Sequence, residues 1–195
     1  GRGIPILAAP RGRCILLPPM FEELSIVIVS WNVRELLRSC LNSLPPGAEV
    51  IVVDNASADD SAQMVAAEFA RVQLIVNATN AGFTRANNQG LAAATRQYIL
   101  FLNPDTVVQP DALETMLAFA RSHLDAGIIG PQLCYGDGSL QSSRRRFPTL
   151  TTALFESTPL EWHWPNNPWA LRYRCGDRPA AGIEEADWLV GAALL

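Results

Sequence analysis

Residues 24–30 read LSIVIVS, a run that is almost wholly apolar and rich in β-branched side chains. A strand buried on both faces of a parallel sheet has this composition. Two further runs repeat the pattern, EVIVV at 49–53 and YILFL at 98–102. Because strands of this kind need cover on both faces of their sheet, the pattern predicts an α/β layer fold.

The segments around these runs alternate between strand and helix. Further strands are predicted at 72–76 and 127–133, and apolar residues at helical spacing predict helices near 36–44, through 64–69, and near 84–96 and 110–123. Asn32 is expected to cap the first helix, and Ser57 or Asp59 the second. Pro110 is expected in the first turn of the fourth helix, and Tyr135–Ser139 as a hairpin turn. Right-handed crossovers then give a mainly parallel central sheet with helices on both faces.

Composition limits the classes of protein that this sequence can represent. The chain has 195 residues, of which 49% are hydrophobic and 17% charged, and a formal net charge of -4. We expect one domain over 24–195, preceded by a non-native or loosely ordered extension over 1–23. The acidic balance argues against nucleic acid as a partner. Four scattered cysteines without a CxxC pair argue against a zinc site or a disulfide scaffold.

Ligands of an open parallel sheet bind beyond the carboxyl ends of its strands. Here those ends carry Asn, Asp and Ser in four loops, namely Ser30 to Asn32, Asp54 to Ser57, Asn77 to Gly82, and Asn103 to Asp105. Such residues are common in any loop. Asp54 and Asp105 are the stronger indication of a site, because each stands at the end of a wholly apolar strand.

Asp54 has two interpretations. Its carboxylate could accept a hydrogen bond from a nucleobase imide or a ribose hydroxyl, or it could form an Asx-turn within its own loop. A Rossmann dehydrogenase is excluded, because the turn after the first strand, Ser30–Arg34, lacks the glycines of a GxGxxG motif. The Walker pattern is absent as well.

Asp105 and the loop before the third helix also have two interpretations each. Asp105, stiffened by Pro104, suits Mg²⁺, which takes one or two carboxylates together with phosphate oxygens. The alternative is a simple turn leading to Pro110. Gly82 near a helix start would let an anion approach free backbone N–H groups, and the alternative is an ordinary capped helix.

Four motifs occur in order along the chain. They are SIVIVSWN, ending at Asn32, VIVVDNAS at Val50–Ser57, NAGFTRANNQG at Asn80–Gly90 and FLNPDT at Phe101–Thr106. In this order and spacing they resemble the family 2 glycosyltransferases of GT-A fold, and most of all the bacterial rhamnosyltransferase-like branch that builds surface polysaccharides. The resemblance covers about Leu24 to Leu195 and implies a nucleotide-diphospho-sugar transferase-like domain that is incomplete at its C-terminus.

The resemblance implies roles for the matching positions. Asp54 is expected to read a uracil or thymine base, and Asp105, the last acid of the family's DxD motif, to hold Mg²⁺ or Mn²⁺. The nucleotide-sugar site is expected to comprise Ser30, Asn32, Asp54, Asn55, Asn80, Gly82, Phe83, Asn87, Asn88 and Asn103. Asp187, Trp188 and Gly191 are expected beside the acceptor and donor sugar. The catalytic base is expected beyond Leu195; Asp187, considered as a substitute, is expected to be mainly a binding residue.

The implied function is inverting, metal-dependent transfer of a sugar, with rhamnose as one candidate. The donor would be dTDP- or UDP-linked and the acceptor a glycan or a polyprenyl-linked sugar. The alternative is a truncated module that binds the nucleotide sugar without turnover. A nucleotidyltransferase would need a glycine-rich basic loop in place of Ser30–Arg34. Without a targeting signal or a membrane-spanning run, the protein is expected in the cytoplasm, with peripheral contact at the inner face of the membrane left open.

Two features of the last third remain open between two interpretations. Arg144–Arg146 could meet an anionic lipid diphosphate or a membrane surface, or could be a solvated run of charge, which is favoured. Trp162, Trp164 and Trp169 could stack on a sugar or could cover the edge of the sheet.

Overall fold

A computed structural model describes residues 21–156, 158–165, 167–176 and 182–195. Of the extension predicted over 1–23, residues 1–20 lie outside this described part. The strands are β1 (Leu24–Ser30), β2 (Glu49–Asp54), β3 (Gln73–Val76), β4 (Tyr98–Leu102), β5 (Leu133–Cys134), β6 (Leu140–Gln141), β7 (Arg144–Arg145), β8 (Trp188–Leu189) and β9 (Ala193–Leu194). The helices are α1 (Arg34–Asn42), α2 (Ser61–Glu68), α3 (Phe83–Ala93), α4 (Ala112–Ser122), α5 (Leu150–Glu156), α6 (Leu160–His163) and α7 (Pro168–Tyr173). None of the helices in these ranges is long and apolar enough to cross a bilayer.

The central sheet has five strands in the order β3-β2-β1-β4-β9. β1 to β4 are parallel, and β9 pairs antiparallel with β4 at one edge. The chain runs outward from β1 to β3 and then returns to the far side of β1 as β4. Right-handed crossovers therefore place α3 on the opposite face from α1 and α2. The predicted mainly parallel sheet with helices on both faces is confirmed.

Alternate residues of β1 belong to two separate cores. Ile26 and Ile28 pack on one face with Leu37 of α1 and Leu117 of α4. Val27 points to the other face, where it packs in the smaller core beneath α3. This burial on both faces explains why β1 is apolar at nearly every position.

Gly90 allows α3 to lie close against the sheet. A Cβ atom at this position would lie 2.3 Å from Cγ1 of Val27, well inside van der Waals contact. Ala86, one turn earlier, is also fully buried on this side of the helix. Small residues one turn apart therefore set the distance between α3 and β1.

The starts of the helices differ from the predicted ones. Asn32 does not cap α1, whose N-cap is Val33 and has no side-chain hydrogen bond. Instead, Asp59 Oδ2 accepts from the Arg34 amide (2.8 Å), and Asp59 Oδ1 accepts from the Ser61 amide (3.1 Å). The Asp59 carboxylate thus accepts a hydrogen bond from the first backbone N–H of α1 and from that of α2. Burial raises the pKa of this carboxyl, but the hydrogen bonds from Ser61 and Arg34 outweigh it and hold the pKa below its usual range.

Pro110 lies before α4 and not in its first turn, so that prediction is wrong. The N-cap of α4 is Asp111, whose φ of 63° is left-handed. A residue in this conformation cannot continue a right-handed helix, so α4 begins after it, at Ala112.

The predicted strand at 127–133 is also wrong, apart from its last residue. Leu133 starts β5, which forms with β6 the hairpin predicted at Tyr135–Ser139. Pro131 has no N–H to donate to a sheet, and Gly130 weakens strand formation. The edge beside β4 is taken by β9, and Ile129 exchanges two backbone hydrogen bonds with Leu195 (2.8 and 2.9 Å).

Candidate functional site

Ser30 and Asp54 stand side by side at the carboxyl ends of β1 and β2. The two residues are register partners in the parallel sheet, and the Asn55 amide donates to the Ser30 carbonyl (2.8 Å). Both side chains are buried, with 0% and 1% exposure. The sequence indicated these two polar residues separately. The pairing of β1 with β2 places them next to each other.

One oxygen of each of these side chains has no hydrogen-bond partner among the described residues. Asp54 Oδ2 accepts from the Ser57 amide, three residues further on (3.0 Å), so this oxygen bonds its own loop, although the bond is not the two-residue contact of an Asx-turn. Asp54 Oδ1 and Ser30 Oγ are buried and unpaired. An unpaired buried acceptor costs about 1–3 kcal/mol, so two together at a ligand-binding edge favour a ligand that supplies hydrogen bonds.

Asn32 joins the loops after β1 and β2. Its backbone is left-handed, with φ of 55°. Its amide donates to Ser57 Oγ (3.0 Å), and its Oδ1 accepts from the Ala58 amide (2.7 Å). The predicted site residue Asn32 therefore lies beside Asp54, and its side-chain oxygen supports the loop.

A network of carboxamides holds the loop between β3 and α3. Asn55 Nδ2 donates to Asn80 Oδ1 (2.8 Å), and Asn55 Oδ1 accepts from the Ala81 amide (2.8 Å) and Asn77 Nδ2 (3.2 Å). Asn77 and Gln89 exchange two further hydrogen bonds of 2.9 Å. Asn55 was predicted to bind the nucleotide. In the structure its side chain forms hydrogen bonds with other residues of the protein and so supports the loop.

Gln89 is a supporting residue that the sequence interpretation missed. It directly follows the predicted Asn87–Asn88 pair and reaches back to Asn77, the first residue after β3. The sequence indicates this role only through the position of Gln89 on the side of α3 that faces the loop. That position can be worked out only when the bounds of α3 are known.

Gly82 begins α3 in a conformation that glycine alone adopts readily, with φ of 83° and ψ of 161°. No side chain caps this helix. Phe83 and Asn88 are exposed nearby, whereas Asn87 Nδ2 donates back to the Phe83 carbonyl (3.1 Å). The uncapped start of α3 therefore leaves backbone N–H groups for an anionic ligand.

Asn103 and Asp105 follow β4. The Asn103 amide donates to the Ala192 carbonyl just before β9 (2.9 Å), so the last described segment fixes this turn. Asp105 is exposed. Burial raises the pKa of the nearby Cys40 thiol to about 12, and the negative charge of Asp105 adds to the effect. The described residues include no group of three His, Cys, Asp or Glu side chains that could hold a metal ion.

Asp187 and Trp188 are anchored to the segment around β7. Asp187 Oδ2 accepts from the Phe147 amide (2.8 Å), and Trp188 Nε1 donates to the Arg146 carbonyl (3.1 Å). Gly191 lies in the turn that leads to β9, next to Ala192 and its bond to Asn103. Of these three predicted residues, Gly191 has the most direct connection to the Asn103–Asp105 turn.

The three arginines at 144–146 are half-buried, so a solvated run of charge is not what the structure contains. Arg144 pairs with Glu184, and the Arg145 guanidinium lies 5.8 Å from the centre of the Tyr173 ring. Two of the three predicted tryptophans pack together: Trp164 and Trp169 lie edge to face, with ring centres 6.1 Å apart.

The comparisons with known proteins agree with this geometry. Residues 25–181 match the family described as Glycosyl transferase family 2. An N-acetylglucosaminyl-diphospho-decaprenol L-rhamnosyltransferase of Mycobacterium tuberculosis is 28% identical over an alignment that covers 90% of this chain and 62% of that protein. A PGL/p-HBAD biosynthesis glycosyltransferase of Mycobacterium bovis is 31% identical, with coverage of 66% and 50%. The chain thus spans less than two thirds of the length of these relatives.

A solved structure supports the fold. S. aureus TarS 1-349 in complex with UDP-GlcNAc superposes with a TM-score of 0.54 at 22% identity, covering 69% of this chain and 47% of that one. The resemblance inferred from the four motifs is confirmed, including the similarity to a rhamnosyltransferase. By its sequence and its GT-A architecture, the chain belongs to glycosyl transferase family 2.

Proposed function

We propose that this chain binds a nucleoside diphosphate sugar, dTDP- or UDP-linked, as part of an enzyme that transfers the sugar to an acceptor hydroxyl with inversion. Rhamnose is the proposed sugar, because a relative that aligns over 90% of the chain is named as a rhamnosyltransferase. The observation that carries the proposal is the pair of buried, unpaired oxygens, Asp54 Oδ1 and Ser30 Oγ.

Asp54 would select the base. An ionised carboxylate accepts hydrogen bonds and cannot donate them. Uracil and thymine present an imide N–H, whereas the corresponding ring nitrogen of cytosine is an acceptor. Asp54 Oδ1 is thus suited to the first two bases, and the Ser30 hydroxyl can donate to a neighbouring carbonyl oxygen.

Asp105, with Asn103 beside it, would hold the divalent cation, Mg²⁺ or Mn²⁺. One exposed carboxylate fits a cation whose other ligands are diphosphate oxygens and water. When bound, the cation would stabilise the negative charge on the leaving diphosphate. The N–H groups at the start of α3 offer a second source of positive potential for the nucleotide.

In the transfer, the acceptor oxygen bonds to the anomeric carbon as the bond from that carbon to the diphosphate breaks. The hydroxyl proton must pass to a base. Asp187 uses Oδ2 to accept from the Phe147 amide, which suits a positioning or binding role. The identity of the base therefore stays a prediction, as does the inverting outcome.

The acceptor is proposed to be a glycan or polyprenyl-linked sugar. The Mycobacterium tuberculosis relative is named for a diphospho-decaprenol acceptor, which resides in a membrane. A polar donor and a membrane acceptor would meet at the bilayer surface, so the proposed location is the inner face of the membrane, reached from the cytoplasm.

Calorimetric titration of UDP, dTDP, CDP and ADP, with and without Mn²⁺, tests the binding step. We expect UDP or dTDP to bind more tightly with Mn²⁺, and the Asp105→Asn variant to lose the metal effect. Asp125→Asn, an exposed aspartate after α4, is the matched control. Equal binding of all four nucleotides, or none by a folded chain, would contradict the proposed site.

The second candidate is a module that binds the nucleotide sugar without turnover. It is favoured by the Asp187–Phe147 hydrogen bond, which occupies one oxygen of the carboxylate considered as a base. A transfer assay with dTDP-rhamnose and a polyprenyl-linked acceptor separates the two candidates. Tight binding with no sugar transferred would support the module.

A further inference from the structure

The helices α5 to α7 expose an unusual set of large apolar side chains. Leu150 is 92% exposed and Trp162 is 83% exposed. Four more are between 40% and 51% exposed: Leu154, Trp164, Trp169 and Leu171. These six residues, called the aromatic face below, lie within 22 positions of the sequence. Single exposed apolar residues need no explanation, but a concentration of this kind marks an interaction surface.

Ring contacts connect the members of this face. Phe155 of α5 stacks on Trp169 with ring centres 5.1 Å apart, and Trp164 meets both rings edge to face. Leu150 and Leu154 lie four residues apart on α5 and therefore share one side of that helix. α5 packs against both α6 and α7. The three short helices thus form one layer that presents several half-exposed rings together.

The charge of this segment is opposite to that of the rest of the chain. Residues 144–176 carry a net charge of +3 in a chain of net charge -4. The five arginines border the aromatic face, at 144–146 on one side and at 172 and 174 on the other, while residues 150–171 contain two glutamates and no arginine. Arg172 is exposed and directly follows Leu171 of the aromatic face. A positive segment on an acidic protein gives a directed attraction to a negative surface.

The other arginines hold the segment in place. Arg144 pairs with Glu184, and Arg145 lies over the Tyr173 ring at the end of α7. Ser142 Oγ donates to the Arg174 carbonyl (2.6 Å), which joins the segment around β7 to the residue after α7. Arg145 is therefore fixed at the end of α7, the helix that carries Trp169 and Leu171, whereas Glu184 offsets the charge of Arg144.

From this combination we infer that the aromatic face docks on the surface of an anionic phospholipid bilayer. Indole rings prefer the headgroup level of a membrane, where one part of the ring is apolar and its N–H is hydrated. Exposed leucines add apolar area, and arginines add attraction to lipid phosphates. The inference rests on the location given under the proposed function and deepens it, since it assigns the surface that would contact the membrane and that none of the proposed nucleotide contacts uses.

Vesicle co-sedimentation of the full chain tests this inference. We expect binding to vesicles of equal parts phosphatidylglycerol and phosphatidylcholine, weak binding to phosphatidylcholine alone, and loss of binding as salt is added. The double variant Leu150→Ser with Trp162→Ser should lower the partition coefficient about tenfold. Arg172→Gln should lower it about fivefold.

Matched controls come from exposed residues elsewhere. Leu124→Ser with Ile128→Ser removes two apolar side chains that are 85% and 65% exposed, and Arg71→Gln removes an exposed arginine before β3. Both controls should bind vesicles like the parent chain. Circular dichroism and a urea titration should show every variant folded, because the substituted side chains are exposed.

Three results would overturn the inference. One is equal vesicle binding by the aromatic-face variants and their controls. Another is equal binding to anionic and neutral vesicles. The third is a parent chain that is dimeric in analytical ultracentrifugation and becomes monomeric in the double variant while vesicle binding stays the same, which would assign the face to contact between copies.

Discussion

At the scale of the single residue, the two carboxylate oxygens of Asp54 differ in their hydrogen bonding. Oδ2 fixes the loop through the Ser57 amide, and Oδ1 is buried without a hydrogen-bond partner among the described residues. An asparagine at this position can keep the loop contact with its oxygen and present its NH₂ group where the acceptor was. The substitution therefore changes the hydrogen-bonding character of the site at almost constant volume.

We predict that Asp54→Asn reverses the preference between uracil and cytosine nucleotides. UDP should bind about 10- to 100-fold more weakly, because the new NH₂ group faces an imide N–H, and CDP should gain affinity. Calorimetry with both nucleotides measures the change. Unaltered UDP binding in Asp54→Asn would assign Asp54 to loop structure alone.

Gly90 gives a second prediction at this scale. Gly90→Ala should lower the free energy of unfolding by roughly 1–3 kcal/mol, because its methyl group would overlap Val27, and the gain in helix propensity of about 1 kcal/mol would not offset the overlap. Gly127→Ala, with no atom within 4 Å of the new Cβ, is the control. Urea unfolding compares the two. In the double variant with Val27→Ala, the added methyl group should become less costly.

Among the structural elements, β1, β2 and the connection from α3 to β4 are tied together by one carboxylate. Glu49, the first residue of β2, accepts from the Thr95 amide (2.8 Å), from Thr95 Oγ1 (2.7 Å) and from Ser25 Oγ. Ser25 Oγ in turn accepts from the Arg96 amide (3.2 Å). This cluster lies at the opposite ends of the strands from the proposed nucleotide site and secures the start of β4.

The Glu49 cluster predicts a dependence of stability on pH. Burial raises the pKa of Glu49, but the hydrogen bonds from Ser25 and Thr95 and the charge of Arg96 outweigh it, so the pKa lies below its usual 4.5. A carboxyl with a lowered pKa in the folded state stabilises the protein above its unfolded pKa. That stabilisation is lost as the pH falls through the folded value, from about pH 5 downward.

Glu49→Gln should lower the free energy of unfolding at neutral pH by roughly 1–2 kcal/mol and flatten its decline in acid. Urea titrations at several pH values measure both effects. Glu22→Gln, at an exposed position before β1, should have neither. A Glu49→Gln protein with the parent's acid profile would show that the decline arises from other carboxyl groups.

At the scale of the whole molecule, the sequence predicted the elements whose contacts are regular. β1, β2 and β4 begin and end within a residue of their predicted bounds, because continuous burial leaves an unbroken apolar run. Asp54 and Asp105 were selected because ligands bind beyond strand ends, and their roles stay predictions. The hydrogen bond from the Arg34 amide to Asp59 and the pairing of Asn77 with Gln89 join residues 25 and 12 positions apart, so no local pattern reports them. Gly130 and Pro131 are local signals against the strand predicted at 127–133, and the sequence analysis did not use them.

Nucleotide binding should stabilise the molecule as a whole. At about 100 times Kd, a ligand that binds only the folded state adds about 2.7 kcal/mol to the free energy of unfolding. We expect thermal unfolding to shift upward with UDP or dTDP and Mn²⁺, and to shift little with ADP. The shift should be small for Asp54→Asn with UDP. Equal shifts with all nucleotides would indicate binding through the phosphates alone.

The bond from the Asn103 amide to the Ala192 carbonyl has a consequence for the order of assembly during synthesis. Ser30, Asp54 and Asn80 can take their places once β4 has left the ribosome, because β1 to β4 form a continuous parallel sheet. The turn with Asp105 gains its brace only after β9 has been translated and has paired with β4. A nascent chain would therefore hold the half of the proposed pocket with Ser30 and Asp54 before the half with Asp105 is in place.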